Sequence, residues 1–298
     1  MRCLLLSLAL GQACVIGGDG VPKPSDLTPS WLIESPHVIG IQAEPAEIRP
    51  GETALFSSLI AQPDGSPERV NVWFACPVEG DGVGLGCAFE SSDDGSTEEF
   101  TDLAEQGFIG VEPGLPPQYS APVDLLDVLE EDERPEGLYV LAQVSSMLPE
   151  QFEDSDTLDP ADMLIAYKRL VVSEAVTPNL NPQLERFTVD GEEISSDTPA
   201  SVKPGALVEL AVEIPKSSVE DYTFVNSDGE VEDRVEEPYV TWYTTDGVMR
   251  ENVTLYPFTQ ADWTSPDEVG ATGRWYAVAR DRRGGMTWLI RDWVVTRN

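Results

Sequence analysis

Apolar positions recur along this chain in short runs rich in β-branched and aromatic residues, each closed by glycine, proline or a cluster of acids. Val70-Asn-Val-Trp-Phe-Ala75 shows the period-two character of a strand with one face buried. His37–Ala43, Thr53–Ala61, Leu207–Ile214, Tyr239–Tyr243 and Thr254–Phe258 read the same way. Tyr119–Val128 fits a strand or a short helix. The strongest signal is Trp275-Tyr-Ala-Val-Ala-Arg280, the polar turn Asp281–Gly285, and Met286–Val295. Two strand-like runs around a Gly-Gly turn predict a β-hairpin.

The pattern occurs twice. Leu138–Gln143 matches Trp275–Arg280, and Met163–Ser173 matches Met286–Thr296. Arg49-Pro-Gly51 matches Lys203-Pro-Gly205, and Val70-Asn-Val-Trp-Phe74 matches Tyr239-Val-Thr-Trp-Tyr243. The spacing from Pro-Gly to tryptophan is longer in the second copy, through a polar insert at Ser217–Glu237. Duplication predicts one domain over 36–174 and another over 183–298. Residues 175–182 form a short linker whose two prolines should stiffen it.

The first residues do not share this pattern. Met1-Arg2, an apolar run to Leu10 and a small residue before Cys14 describe an export signal over residues 1–13, too short to span a bilayer. Its end is similar to a bacterial lipobox, although Gly11 stands where leucine is usual. Cys14 is then the lipidation site, with ordinary cleavage and release of a soluble protein as the alternative. Residues 14–35 read as a tether, small, polar and broken by proline, with Trp31 and Leu32 beginning to dock on the first domain. Export leaves Cys76 and Cys87 as a pair, expected to form a disulfide worth roughly 3 kcal/mol in the chain-entropy model. A metal site there is the weaker reading, because the only histidine, His37, is distant in sequence.

Composition sharpens the partner classes. The net charge is −36, with 54 acids against 18 bases. Such a surface repels nucleic acid and anionic lipid, so membrane contact is expected through the lipid anchor alone. The 24 glycines and 24 prolines favour frequent turns and an all-β fold.

A tryptophan on the third strand, Trp73 or Trp242, and a tyrosine on the penultimate strand, Tyr139 or Tyr276, resemble the signature of an immunoglobulin-like sandwich. Leu141 and Val278 stand where the second cysteine of an antibody domain would be. From about Pro36 to the end, the chain resembles tandem Ig-like surface lipoproteins of the kind common in myxobacteria and their relatives. The fold class is therefore all-β, two tandem Ig-like sandwiches after a signal peptide and tether. The resemblance implies attachment, scaffolding or envelope assembly, not catalysis. The partner would be an envelope or extracellular macromolecule, and the location the outer membrane or cell surface, or the medium if the protein is released.

Candidate chemistry is thin. His37 lies in the first strand and no serine has a nucleophile-elbow context, so no triad is expected. Carboxylate pairs for a hydrolase are a third reading, uninformative where acids are so common. A carbohydrate-binding module is the second; exposed aromatics from the set Trp263, Trp288 and Trp293 on one sandwich face would favour it, and burial of all three would oppose it. Asp154, Asp156 and Asp159 share a loop and could hold Ca2+, as could the stretch Asn226–Glu232, but neither completes an EF-hand, and a solvated acidic loop is the plainer reading. Tandem, end-to-end sandwiches would aim Arg282 and Arg283 at the acidic turn Glu130, Glu131, Asp132 and Glu133.

Overall fold

The computed structural model describes residues 28–77, 107–154, 159, 161–225 and 230–297. Eight strands build the first sandwich: β1 (His37–Glu44), β2 (Glu47–Ile48), β3 (Thr53–Ala61), β4 (Val70–Pro77), β5 (Phe108–Glu112), β6 (Gln118–Ser120), β7 (Leu138–Met147) and β8 (Leu164–Val172). One sheet has the order β1-β3-β6 and the other β2-β8-β7-β4-β5. A short helix, α1 (Pro149–Glu153), sits in the β7–β8 connection.

The second sandwich repeats the plan with β9 (Phe187–Val189), β10 (Glu192–Glu193), β11 (Ala200–Val202), β12 (Leu207–Val212), β15 (Tyr239–Thr244), β16 (Val248–Met249), β17 (Val253–Leu255), β18 (Ala261–Thr264), β19 (Thr272–Arg280) and β20 (Met286–Val295). Its sheets run β10-β9-β12-β18-β16 and β11-β20-β19-β15-β17. The polar insert folds into a separate hairpin of β13 (Asp221–Val225) and β14 (Val231–Val235).

The duplication extends to details that the sequence match does not contain. In each copy the chain crosses to the second sheet just before the Pro-Gly turn and pairs in parallel with the last strand, Ile48 with Val172 and Val202 with Val295. Trp73 and Trp242 are each fully buried, and the indole N–H of each is satisfied from the neighbouring edge strand. Trp73 Nε1 donates to Glu112 at 2.9 Å, and Trp242 Nε1 to Thr254 at 3.0 Å. One register differs from the sequence match. Trp73 lies opposite Val144 and Trp242 opposite Ala277, a four-residue offset from the Leu138–Trp275 alignment that keeps the same parity.

Parity decides the tyrosines. Val140 and Ala142, like Trp275, Ala277 and Ala279, face their own cores, so the residues between them face outward. Tyr139 is consequently 51% exposed under Arg169, and Tyr276 leaves its own core altogether. Neither takes the corner position expected from the Ig-like signature, and Leu141 and Val278 point outward with them.

The two cores are unlike. The first gathers Ile41, Phe56, Trp73, Val144 and Leu170. In the second, Trp242, Trp263, Trp275 and Trp293 are all fully buried around Phe187. Trp263 and Trp275 meet edge to face, their centroids 4.9 Å apart, one of the geometries aromatic rings prefer.

Candidate functional site: the junction between the sandwiches

The sandwiches meet side by side. The outer face of β1 and β3 packs on the outer face of β19, β20 and β15 through a third apolar cluster of Ile33, Ile39, Leu59, Ala61, Tyr276 and Val278, flanked by Tyr243, Met286, Trp288 and Ile290. A bulge between Val38 and Gly40 turns Ile39 into this contact. Gly40 lets the sheets approach: a Cβ there would lie 3.1 Å from Met286 Sδ and 3.3 Å from the Trp288 ring. Arg280 closes one edge, donating to the Ile39 carbonyl at 2.7 Å and to Thr241 at 3.0 Å. Asp64 receives Thr272 at 3.3 Å and lies 3.7 Å from Arg274 at another.

Polar groups from the linker seal the rest. Asn181 donates to the Ala43 carbonyl and to Glu44, both at 2.7 Å, and accepts the Met286 N–H at 2.8 Å. Asn179 is buried, its N–H bonded to Glu47 at 2.7 Å and its amide to Asp281 at 2.9 Å. Asp281, also buried, accepts the N–H groups of Arg283, Gly284 and Gly285 and thereby shapes the β19–β20 turn. Ser173 hydrogen-bonds Glu47, and Lys168 of β8 reaches across to the Gly284 carbonyl.

Arg283 is the hub. It lies 2.9 Å from Glu236, 3.2 Å from Glu220 and 4.0 Å from Glu47, with Tyr222 beneath its guanidinium. Glu220 and Glu236 come from either end of the β13–β14 hairpin, so Arg283 ties the insert, the last turn and the first sandwich together. Burial raises the Glu236 pKa above the ordinary carboxylate value, against the lowering pull of the Glu220 backbone and Arg283. Burial likewise lowers Lys168 to about 8, with Asp281 opposing and Arg280 adding to the effect.

These partners replace the expected ones. Arg282 pairs with Glu237 at 3.4 Å, and Arg283 with Glu236, Glu220 and Glu47. Among the described residues neither makes an ion pair with Glu130, Glu131, Asp132 or Glu133, where Glu133 instead accepts the Glu130 N–H. The physical reason is the packing of sheet on sheet, which brings the final turn to Glu47 and the linker. The N-terminal segment also departs from expectation. Trp31 packs on the second core, not the first, and two backbone bonds, Ile33 N–H to the Thr244 carbonyl and Thr244 N–H to the Trp31 carbonyl, join the segment to β15.

The remaining candidates stand apart from the junction. His37 is exposed and its Nδ1 lies 2.7 Å from the Ser35 carbonyl. Asp154 ends α1 and Asp159 accepts the Ala161 N–H at 2.9 Å, while Asp156 and the stretch 226–229 lie outside the described residues. Among the described residues no group of three or more acidic, histidine or cysteine side chains could hold a metal ion. Cys76 stands on β4; Cys14 and Cys87 lie outside the described residues. Trp263 and Trp293 are core residues, and Trp288 is partly buried in the junction, so the three do not form an exposed platform. No helix among the described residues is long and apolar enough to cross a membrane.

No family model matches the chain, and no curated protein does. Among solved structures the chain is similar to the fibronectin(III)-like modules of CbhA from Clostridium thermocellum, at 8% identity and TM-score 0.24 over 86% of this chain and 94% of that one. It is also similar to Dpr11 IG1 bound to DIP-gamma IG+IG2, at 11% identity and TM-score 0.22 over 88% and 99%. A third similarity is to dimeric latent PorU from Porphyromonas gingivalis, at 8% and 0.22, over 91% of this chain but 25% of that one. TM-scores this low carry nothing about activity, and the assignment of two Ig-like sandwiches rests on the strand orders given above.

Proposed function

We propose that the chain is an exported cell-envelope protein, anchored by lipid on Cys14, that presents two Ig-like sandwiches as one non-catalytic binding or scaffolding body. The junction carries this reading. An apolar cluster, a bonded linker and an N-terminal segment bridged to β15 all fix one sandwich against the other. A preorganised two-sandwich surface loses little conformational freedom when a partner binds, which favours a presenting role. The buried carboxylates at the junction are engaged by Arg283 and by backbone N–H groups, as structural charges are, which argues against the hydrolase reading. The carbohydrate-module reading loses its proposed platform with the burial of Trp263 and Trp293.

Fractionation tests the anchor. Cys14→Ser should move the protein from membranes to the soluble fraction, and unchanged partition would sink that part. The non-catalytic part fails if envelope material incubated with pure protein releases soluble fragments.

A further inference from the structure

The chain touches the second sandwich before it builds the first. Trp31 packs on the second core, Leu32 bridges Thr244 in parallel, and Ile33 is buried in the junction. Ile33 N–H donates to the Thr244 carbonyl at 2.9 Å, and Thr244 N–H to the Trp31 carbonyl at 3.0 Å. Only then does the chain enter β1. Thr244 pairs with Trp275 of β19, and Trp275 with Arg291 of β20, the strand that leads to the C-terminus. A hydrogen-bonded path therefore runs from Leu32 to the last strand with no element of the first sandwich in it.

Strand direction fixes how this path meets tension. β15 and β20 are each antiparallel to β19, so they run the same way, and the Trp31–Ile33 segment is held to β15 by one parallel bridge, Leu32 to Thr244. A pull on the chain ahead of Trp31 acts on the trailing end of that segment. A pull at the C-terminus acts on the leading end of β20. Parallel strands drawn apart from opposite ends slide along one another. Their backbone bonds and the packing of the partly buried Trp31 and the buried Ile33 must then yield together, whereas chains peeled from one end lose their bonds in turn.

We propose that the Trp31–Ile33 segment is a mechanical strap. It routes tension between the N-terminal segment and the C-terminus through the second sandwich alone, and the first sandwich stays unloaded until the strap slips. Its use in the cell rests on the anchored reading above; the load path itself does not. An envelope protein so built would keep its first sandwich folded and displayed while the tether is pulled. Once the strap slips, the first sandwich comes into series with the second, and Ile33 leaves the junction at the same step.

Single-molecule force spectroscopy on the full chain tests this without any membrane. One handle is at the C-terminus, and the other is placed either at Ser25, ahead of the strap, or at Ser35, behind it. The contour-length gain of residues 37–172 marks unfolding of the first sandwich. Pulling from Ser25 should shift that event to higher force than pulling from Ser35, because forced unfolding follows the rate of the first element to yield. Trp31→Ala should abolish the difference, with the Ser35 geometry reporting that the sandwiches still fold. Equal forces from the two handles in the wild type, or a difference that survives Trp31→Ala, would overturn the proposal. Failure of the anchor would show separately, as unchanged partition of Cys14→Ser.

Discussion

Lys168 shows how much one side chain contributes at the junction. It lies on the inward parity of β8 with Leu170 and Val172, yet its ammonium crosses to Gly284 of the other sandwich. Burial lowers its pKa from 10.5 to about 8, in spite of Asp281. A lysine depressed in the folded state costs stability where both states are protonated, and the cost fades between about pH 8 and 10.5 as the folded state alone sheds its proton. The full difference corresponds to about 3 kcal/mol. Stability should therefore rise with pH over the lower part of this window, and Lys168→Met should flatten the rise; an unchanged slope in denaturant titrations would contradict it. Tyr119 and Tyr276, which burial raises above 10, titrate later and leave that part of the window clear. Arg283 acts in the other sense. Its removal strands Glu236, Glu220 and Glu47 around one site, so Arg283→Met should cost about 3–5 kcal/mol, the usual range when one partner of a buried pair is lost. Replacing Glu236 by Gln in the same chain should recover part of that loss.

At the level of strands, period-two alternation located most of the framework, because a half-buried strand writes its buried face into every second residue. The matching hairpins, the Pro-Gly turns and Trp73 with Trp242 follow once the two copies are aligned on that alternation and on the turn residues between strands. What alternation could not show is which outward face finds a partner. Tyr276 and Val278 look like solvent-facing positions of β19 until the first sandwich covers them. Arg282 and Arg283 were legible as interdomain candidates, but their partners depended on sandwiches packing side by side, and nothing local distinguishes that from an end-to-end array. The insert showed only as a polar stretch because Asp221–Val235 mixes charge with apolar residues, and its hairpin buries little of either. Asn179 and Asn181 had the plainest overlooked signal: two asparagines set between the linker prolines Pro178 and Pro182, each able to donate and accept at a crossing of chains. Gly40, a lone glycine inside a strand-like run, was the other, since that pattern marks a bulge or a close approach. Gly40→Val should force Met286 and Trp288 apart and cost about 1–3 kcal/mol by overpacking. A change in stability below half a kcal/mol would mean the junction yields there freely.

On the scale of the whole molecule, three apolar clusters stand where two domains would ordinarily have two. The third is shared, and the strap adds a covalent neighbour to it through Ile33. A chain with 54 acids and 18 bases gains nothing in stability from its own repulsion, so the cohesion of the pair has to come from this shared apolar contact and from the polar bonds across the junction, those of Arg283, Asn179, Asn181, Arg280 and Lys168 among them. If the shared cluster couples the sandwiches strongly, neither unfolds without exposing the other's face. Heat should then melt the residues from Trp31 onward in one transition, with calorimetric and van't Hoff enthalpies in agreement. Trp288→Asp tests the coupling at a residue belonging to neither sandwich core. It places a charge against Gly40 in the shared contact, where an unpaired carboxylate is costly to bury. The expected result is two resolved transitions, with the second sandwich, whose core holds four tryptophans, melting at the higher temperature. Two transitions in the wild type would show that the junction orients the sandwiches without stabilising them, and a single transition in Trp288→Asp would place the coupling in the linker and strap instead.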